Sequence, residues 1–191
     1  MASNVGPGKL SGRASEPISH VWRDERGNRV RFTWIEGSRV GKFSPFTQAY
    51  AVAFERDGGV IIGHRPGHPW CLPGGTHEAG ETARQTLVRE LDEELSLRVV
   101  RARLLGAQLV EYLDEAKAPH YQLRYVAIVD LKALTPDPDN GFLWERRSVK
   151  PGDVNRYLRW GPVLDRILLS AKRQYAVWSR EDASRKRRSA K

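Results

Sequence analysis

The stretch from Gly75 to Leu97, GTHEAGETARQTLVRELDEELSL, constrains this chain more than any other. Four of the five residues from Glu90 to Glu94 are acids, an unfavourable load for a helix. Glu90, Glu93 and Glu94 stand at i, i+3 and i+4, neighbours on one helical face, while Asp92 falls on another and can be solvated. At about 100° per residue the three glutamates span roughly a third of the circumference. Leu87, Val88, Leu91 and Leu95 form the adjoining stripe, so the helix also has an apolar face to bury. A buried leucine seam beside an unpaired acidic seam holds carboxylates rigidly at a surface. That arrangement suits a hard, oxygen-loving divalent cation.

The approach to the helix belongs to the same unit. Pro73-Gly74-Gly75 is a breaker cluster where backbone groups can come close to a ligand. Thr82 followed by Gln85 fits a capping box, which starts the helix at about Thr82 and leaves Glu81 on the loop. One loop carboxylate therefore faces three on the helix.

Gly75, Glu81, Arg89-Glu90-Leu91 and Glu93-Glu94, at these spacings and with Leu97 closing the pattern, resemble the Nudix box. Trp70-Cys71-Leu72-Pro73-Gly74 resembles the usual lead-in. The likeness is specific across the box and looser over about residues 45 to 178. One defined position departs: the final glycine is Ser96, where the chain leaves the helix and glycine would tolerate a left-handed backbone. Serine there costs on the order of 1 kcal/mol and touches no ligand position.

The resemblance implies an α/β fold, a Nudix-type α/β/α sandwich with a mixed β-sheet, here with an added N-terminal β-hairpin. It implies Mg²⁺ (or Mn²⁺) as cofactor and hydrolysis of the diphosphate linkage in a nucleoside diphosphate derivative: a nucleoside triphosphate, a nucleotide sugar or a dinucleoside polyphosphate. Glu90 and Glu94 would be the main metal ligands, with Glu93 sharing ions and Gly74 offering its carbonyl. Arg89 would orient the carboxylates by pairing with Glu81, and Gly75 would lie against the substrate. Glu93 is the first choice for general base, with Asp137, Asp139 and Glu111 as alternatives. Arg65, just before the glycine loop, is the candidate for a phosphate oxygen, since a guanidinium grips it through two donors. Trp70, Tyr112, Tyr121 and Trp144 are candidates to stack on a base, while His64 and His68 are expected at the surface. A Nudix-like isomerase would need a further catalytic cysteine, for which Cys71 is the sole candidate. A silent module binding nucleotide or RNA would be expected to have lost carboxylates that are all present here.

Along the rest of the chain, residues 1–17 read as a disordered leader. Residues 18–44 form an extension with a hairpin about Gly27-Asn28, suited to covering a sheet edge, pairing with a second subunit in a homodimer, or reaching the substrate. The hydrolase domain is expected over 45–178. It has strands at 47–56, 59–65, 98–113, 120–131 and 141–146, a helical turn within 151–158, and a last helix opening at Trp160-Gly161-Pro162. The net charge of +9 arises wholly within residues 145–191, so it describes one end of the chain and is weak evidence for nucleic-acid binding by the fold itself. Residues 179–191, with Arg185-Lys186-Arg187-Arg188, read as a basic disordered tail. One cysteine and no apolar run of membrane-spanning length point to a cytoplasmic protein without a membrane span.

Overall fold

A computed structural model describes residues 17–189; all of the expected leader except Pro17 lies outside them. β1 (Ile18–Arg23) and β2 (Arg29–Glu36) form the hairpin. Its turn is tied by Asp24, whose carboxylate accepts from the backbone N–H groups of Arg26 and Asn28, each at 2.9 Å. β3 (Phe46–Phe54), β4 (Val60–His64), β5 (Gly74–Thr76), β6 (Leu97–Tyr112), β7 (His120–Leu131) and β8 (Glu145–Val149) complete one sheet, ordered β1-β2-β6-β7-β3-β4-β8 with β5 beside β3. β3 and β7 run parallel and the other pairings are antiparallel, so the sheet is mixed.

Helices cover both faces. Ala49, Ala51 and Ala53 of β3 lie under Leu87, Leu91 and Leu95 of α1 (Ala83–Leu95). The small residues let the helix sit close, and each fully buried leucine contributes about 1.5–3 kcal/mol. On the other face Val52, Phe54, Val126 and Ile128 pack against Val163, Leu164, Ile167 and Leu168 of α3 (Pro162–Ser189), with α2 (Val154–Leu158) beside it. This is the expected α/β/α sandwich. β5 pairs with the beginning of β3 and β4 with its end, which brings the glycine loop up against α1.

β2 pairs along β6 from Val30↔Tyr112 to Glu36↔Gly106, so the hairpin covers the β6 edge. Its far end is fastened by Arg29, which donates through its backbone N–H (2.7 Å) and side chain (2.6 Å) to Asp114.

Two expectations are corrected. The last strand is Glu145–Val149, and residues 141–144 are loop. The basic segment is not a disordered tail as far as Ser189: it continues α3. Apolar periodicity stops near Trp178, but periodicity reports burial, not helicity. An established helix propagates through Arg, Lys, Glu and Ala without needing a buried face. Trp178 is buried under the guanidinium of Arg101, which also pairs with Glu181 at 2.8 Å.

Candidate functional site

α1 begins where the capping box places it. Thr82 Oγ1 accepts from the Gln85 N–H, and the Gln85 side chain accepts from the Thr82 N–H at 2.8 Å. It ends at Ser96, which adopts the left-handed conformation (φ 50°, ψ 49°) where a glycine was expected. Ser96 is fixed there because its hydroxyl accepts from the Thr135 N–H at 3.1 Å.

Arg89 is the hub of the acidic face. Its guanidinium donates to Glu81 (2.8 Å), Glu93 (2.8 Å) and Glu90 (3.1 Å), and to the Thr76 carbonyl at 2.8 Å. One cation thus offsets the repulsion within the glutamate cluster and ties the helix to the loop. The bond to Arg89 holds the Glu81 carboxyl down at about 2. Buried Thr86 donates to Glu81 at 2.8 Å and meets His77 Nδ1 at 2.9 Å.

Glu94 stands apart from this clamp. It accepts from the Gly74 N–H at 3.0 Å, and burial pushes its carboxyl up to about 8. Glu90 is raised as well, again chiefly by burial. Gly74 has φ +133°, and a Cβ there would stand 2.2 Å from the Ala49 carbonyl oxygen. A Cβ on Gly75 would stand 2.5 Å from Glu90 Oε2, so the missing side chain is what lets this carboxylate lie against the loop.

Among the described residues the carboxylates do not close into a ready ion cage. The donor set nevertheless fits a hard dication. Glu94 and Glu90 are desolvated carboxylates side by side, and burial of like charges is relieved by a bound cation.

The remaining candidates divide. Arg65 contacts His68, lies 5.7 Å from the Phe142 ring, and is near enough for its charge to act on Glu94 and Cys71. Asp137 is buried and accepts from Trp144 Nε1 (3.2 Å), Asn140 (2.8 Å) and the Asp139 N–H (2.9 Å), and its charge also acts on Glu94. Asp139 is exposed on the same loop, and Glu111 pairs with Arg31 on the hairpin side at 3.6 Å. Burial holds the Cys71 thiol at about 12, which leaves it protonated and inert. Of the aromatic candidates, Trp70 carries Arg147 at 4.7 Å and His64 at 5.2 Å, and Tyr112 carries Lys117 at 4.7 Å. Tyr121 packs on Phe43, and Trp144 is buried against Asp137.

Two rings near Arg124 are ones the sequence did not single out for stacking. Tyr50 sits between Gly74 and Arg124 in the sheet register, and Trp160 approaches Arg124 from the α2–α3 connection. The available signal was Arg124 itself, the one charge between His120 and Val129 in an otherwise largely apolar strand.

The profile of the NUDIX domain matches residues 45–168, and the chain belongs to the Nudix family. It is 32% identical over 89 residues to the 8-oxo-dGTP diphosphatase of Proteus vulgaris, a match covering 44% of this chain and 76% of that protein. It is 23% identical over 183 residues to the mitochondrial ADP-ribose pyrophosphatase of Rattus norvegicus, covering 87% of this chain. It spans about half, 47%, of that relative's length. Among solved structures, a variant of the Bacillus subtilis pyrophosphohydrolase BsRppH superposes with a TM-score of 0.60 at 18% identity, covering 81% of this chain and 97% of that one. A Nudix hydrolase from Nitrosomonas europaea gives 0.52 at 15%, covering 69% and 91%. At these identities the two structures speak for the fold. No helix among the described residues is long and apolar enough to cross a membrane.

Proposed function

We propose that the chain is a Mg²⁺-dependent pyrophosphohydrolase that cleaves the diphosphate linkage of a nucleoside diphosphate derivative. The observation that carries this reading is the pairing of Glu94, half-buried and bonded to the Gly74 N–H, with Glu90 against side-chain-free Gly75. The two relatives named for their substrates, ADP-ribose and 8-oxo-dGTP, share this linkage, and the reading is drawn at the level they share.

Glu90, Glu94 and Glu93, with the Gly74 carbonyl, would hold the ion. A divalent ion there neutralises phosphate charge and makes an attacking water more acidic. Arg89 keeps Glu90 and Glu93 in fixed orientation, with Glu81 as its counter-anchor on the loop. Glu93 shares one oxygen, Oε2, with Arg89, and its Oε1 takes the proton of the attacking water. The water oxygen then bonds to phosphorus, the bridging P–O bond breaks, and two phosphate products leave. Arg65 grips a non-bridging phosphate oxygen. The single cysteine, half-buried Cys71, suits a reducing compartment, and we place the protein in the cytoplasm.

Purified protein, Mg²⁺ and a panel of nucleoside triphosphates, nucleotide sugars and dinucleoside polyphosphates test this, with phosphate release as the readout. Cleavage that vanishes in a folded Glu94→Gln variant is expected. Nucleotide binding with no turnover on any member would instead favour a silent binding module.

A further inference from the structure

Arg124 is 2% exposed, yet no carboxylate is among the groups that shift its charge state. Burial pulls it down to about 10. It donates to the Gln122 side chain (2.8 Å) and the Leu123 carbonyl (3.2 Å), and its Nε has no partner. A buried cation without an acid is costly to keep unless something negative or acceptor-rich completes it.

Two further orphans adjoin it. Gln108 Oε1 and Trp34 Nε1 are buried and unpartnered, and the residues are register partners, Trp34↔Gln108, with Gln108↔Gln122 next across the sheet. The Trp34 indole also reaches the strand position paired with Arg124. Gly106 is the register partner of Arg124, and a Cβ there would stand 2.8 Å from the tip of the Trp34 indole. Three of the five orphaned buried side-chain atoms of the described residues thus gather in one patch of sheet. The patch has aromatic walls: Arg124 lies 4.5 Å from the Tyr50 ring and 5.7 Å from that of half-buried Trp160. It is also continuous with the carboxylates. Gly74, Tyr50 and Arg124 are successive register partners, which puts Arg124 about 10 Å, two strand spacings, from the loop that holds Glu94. A nucleoside extending from a phosphate at that loop spans such a distance.

We propose that Arg124, Gln108 and Trp34 form the base-reading floor of the substrate cleft, selective for a guanine-type purine, and that the N-terminal hairpin belongs to the specificity apparatus because it supplies Trp34. The proposal rests on the nucleotide reading above and names its base. Arg124 and Trp34 leave two donors open, and Gln108 leaves one acceptor. A guanine edge offers O6 and N7 to the donors, the pairing for which arginine is suited, and its ring N–H or amino group to the glutamine oxygen. Adenine sets an amino donor where O6 would be, opposite the cation. Trp160 lies between Arg159 and Gly161, both with positive φ (56° and 64°), and in this proposal its ring is the one displaced when a base enters.

Binding of GMP and AMP to metal-free protein, followed by tryptophan fluorescence, tests this without reading turnover. Wild type is expected to bind GMP at least about tenfold more tightly than AMP, the scale of one good arginine–guanine contact. Arg124→Met and Trp34→Phe should each erase most of that ratio, and Gln108→Leu should reduce it. Thermal melts check that each variant folds, and if Arg124→Met does not, the other two carry the test. Equal affinity for GMP and AMP in wild type, or an unchanged ratio in the folded variants, overturns the proposal. A lack of hydrolysis across the substrate panel would count against the proposed activity alone.

Discussion

Gly74 and Gly75 are adjacent, and the structure gives their side-chain-free positions opposite reasons. At Gly74 an added Cβ meets backbone: 2.2 Å to the Ala49 oxygen and 2.6 Å to the Tyr50 Cα, at φ +133°. Neither atom can move without disturbing β3. Combining a disfavoured backbone conformation with overpacking, Gly74→Ala should lose about 2–6 kcal/mol. For a chain of this length that lowers Tm by about 5 °C or more. At Gly75 the Cβ meets only the carboxylate of Glu90, at 2.5 to 2.8 Å, the far end of a flexible side chain. Glu90 can swing by about 1 Å to reach ordinary contact distance. Gly75→Ala should therefore melt within a few degrees of wild type, since the stiffer unfolded chain offsets part of the adjustment. The displaced carboxylate should lower Mg²⁺-dependent hydrolysis on the order of a hundredfold. Differential scanning fluorimetry, paired with the phosphate-release assay, measures both. Comparable melting losses for the two alanines, or full activity in Gly75→Ala, would refute the assignment of one glycine to the fold and the other to the site.

Other expectations follow from single contacts. Arg89→Lys keeps the charge but cannot span Glu81, Glu90, Glu93 and Thr76 together, so activity should fall at least about tenfold with the fold retained, as read by phosphate release and circular dichroism. Ser96→Ala and Ser96→Gly both lose the hydroxyl contact to Thr135, but alanine alone keeps the left-handed strain. Urea unfolding should thus find the alanine variant less stable by about 1 kcal/mol. The bonds from Arg29 hold the Asp114 carboxyl at about 2, below its ordinary value of 3.8. A depressed carboxylate stabilises above its unfolded value and loses that contribution as pH falls. The stability difference between wild type and Asp114→Asn should therefore be full at pH 5 and fade between about pH 4 and 2, as urea melts at each pH would record.

The box helix was legible because its logic is local. Cap, leucine stripe and glutamate face lie within one run of chain, where helical geometry alone decides which side chains meet. The Thr82–Gln85 cap and the Arg89–Glu81 pair both appear as those spacings require, at 3.3 and 2.8 Å. Even the departure at Ser96 was readable, since the left-handed turn is demanded by the helix end and not by the residue that fills it. Most strands were legible for the same reason, down to the span of β7, but β5 carried no strand signal and β8 begins later than expected.

The polar floor beside the site was not legible, because nothing local defines it. Trp34, Gln108, Gln122 and Arg124 come from three strands, and they meet through the pairings β2–β6 and β6–β7. Strand periodicity tells which face a residue takes, but not which distant residue shares it. Arg124 in an apolar strand stands out from sequence only as an anomaly, and no local pattern tells which aromatic residues lie beside it. The structure shows Trp70 and Tyr112 already engaged by Arg147 and Lys117. The proposed metal chemistry is thus written in one contiguous motif, whereas the proposed base selection depends on sheet register. That register now includes a hairpin outside the segment matched to the family. On the proposed reading, two chains sharing the box would differ in the base they read through substitutions far from it in sequence, and Trp34 is where that difference would be sought first.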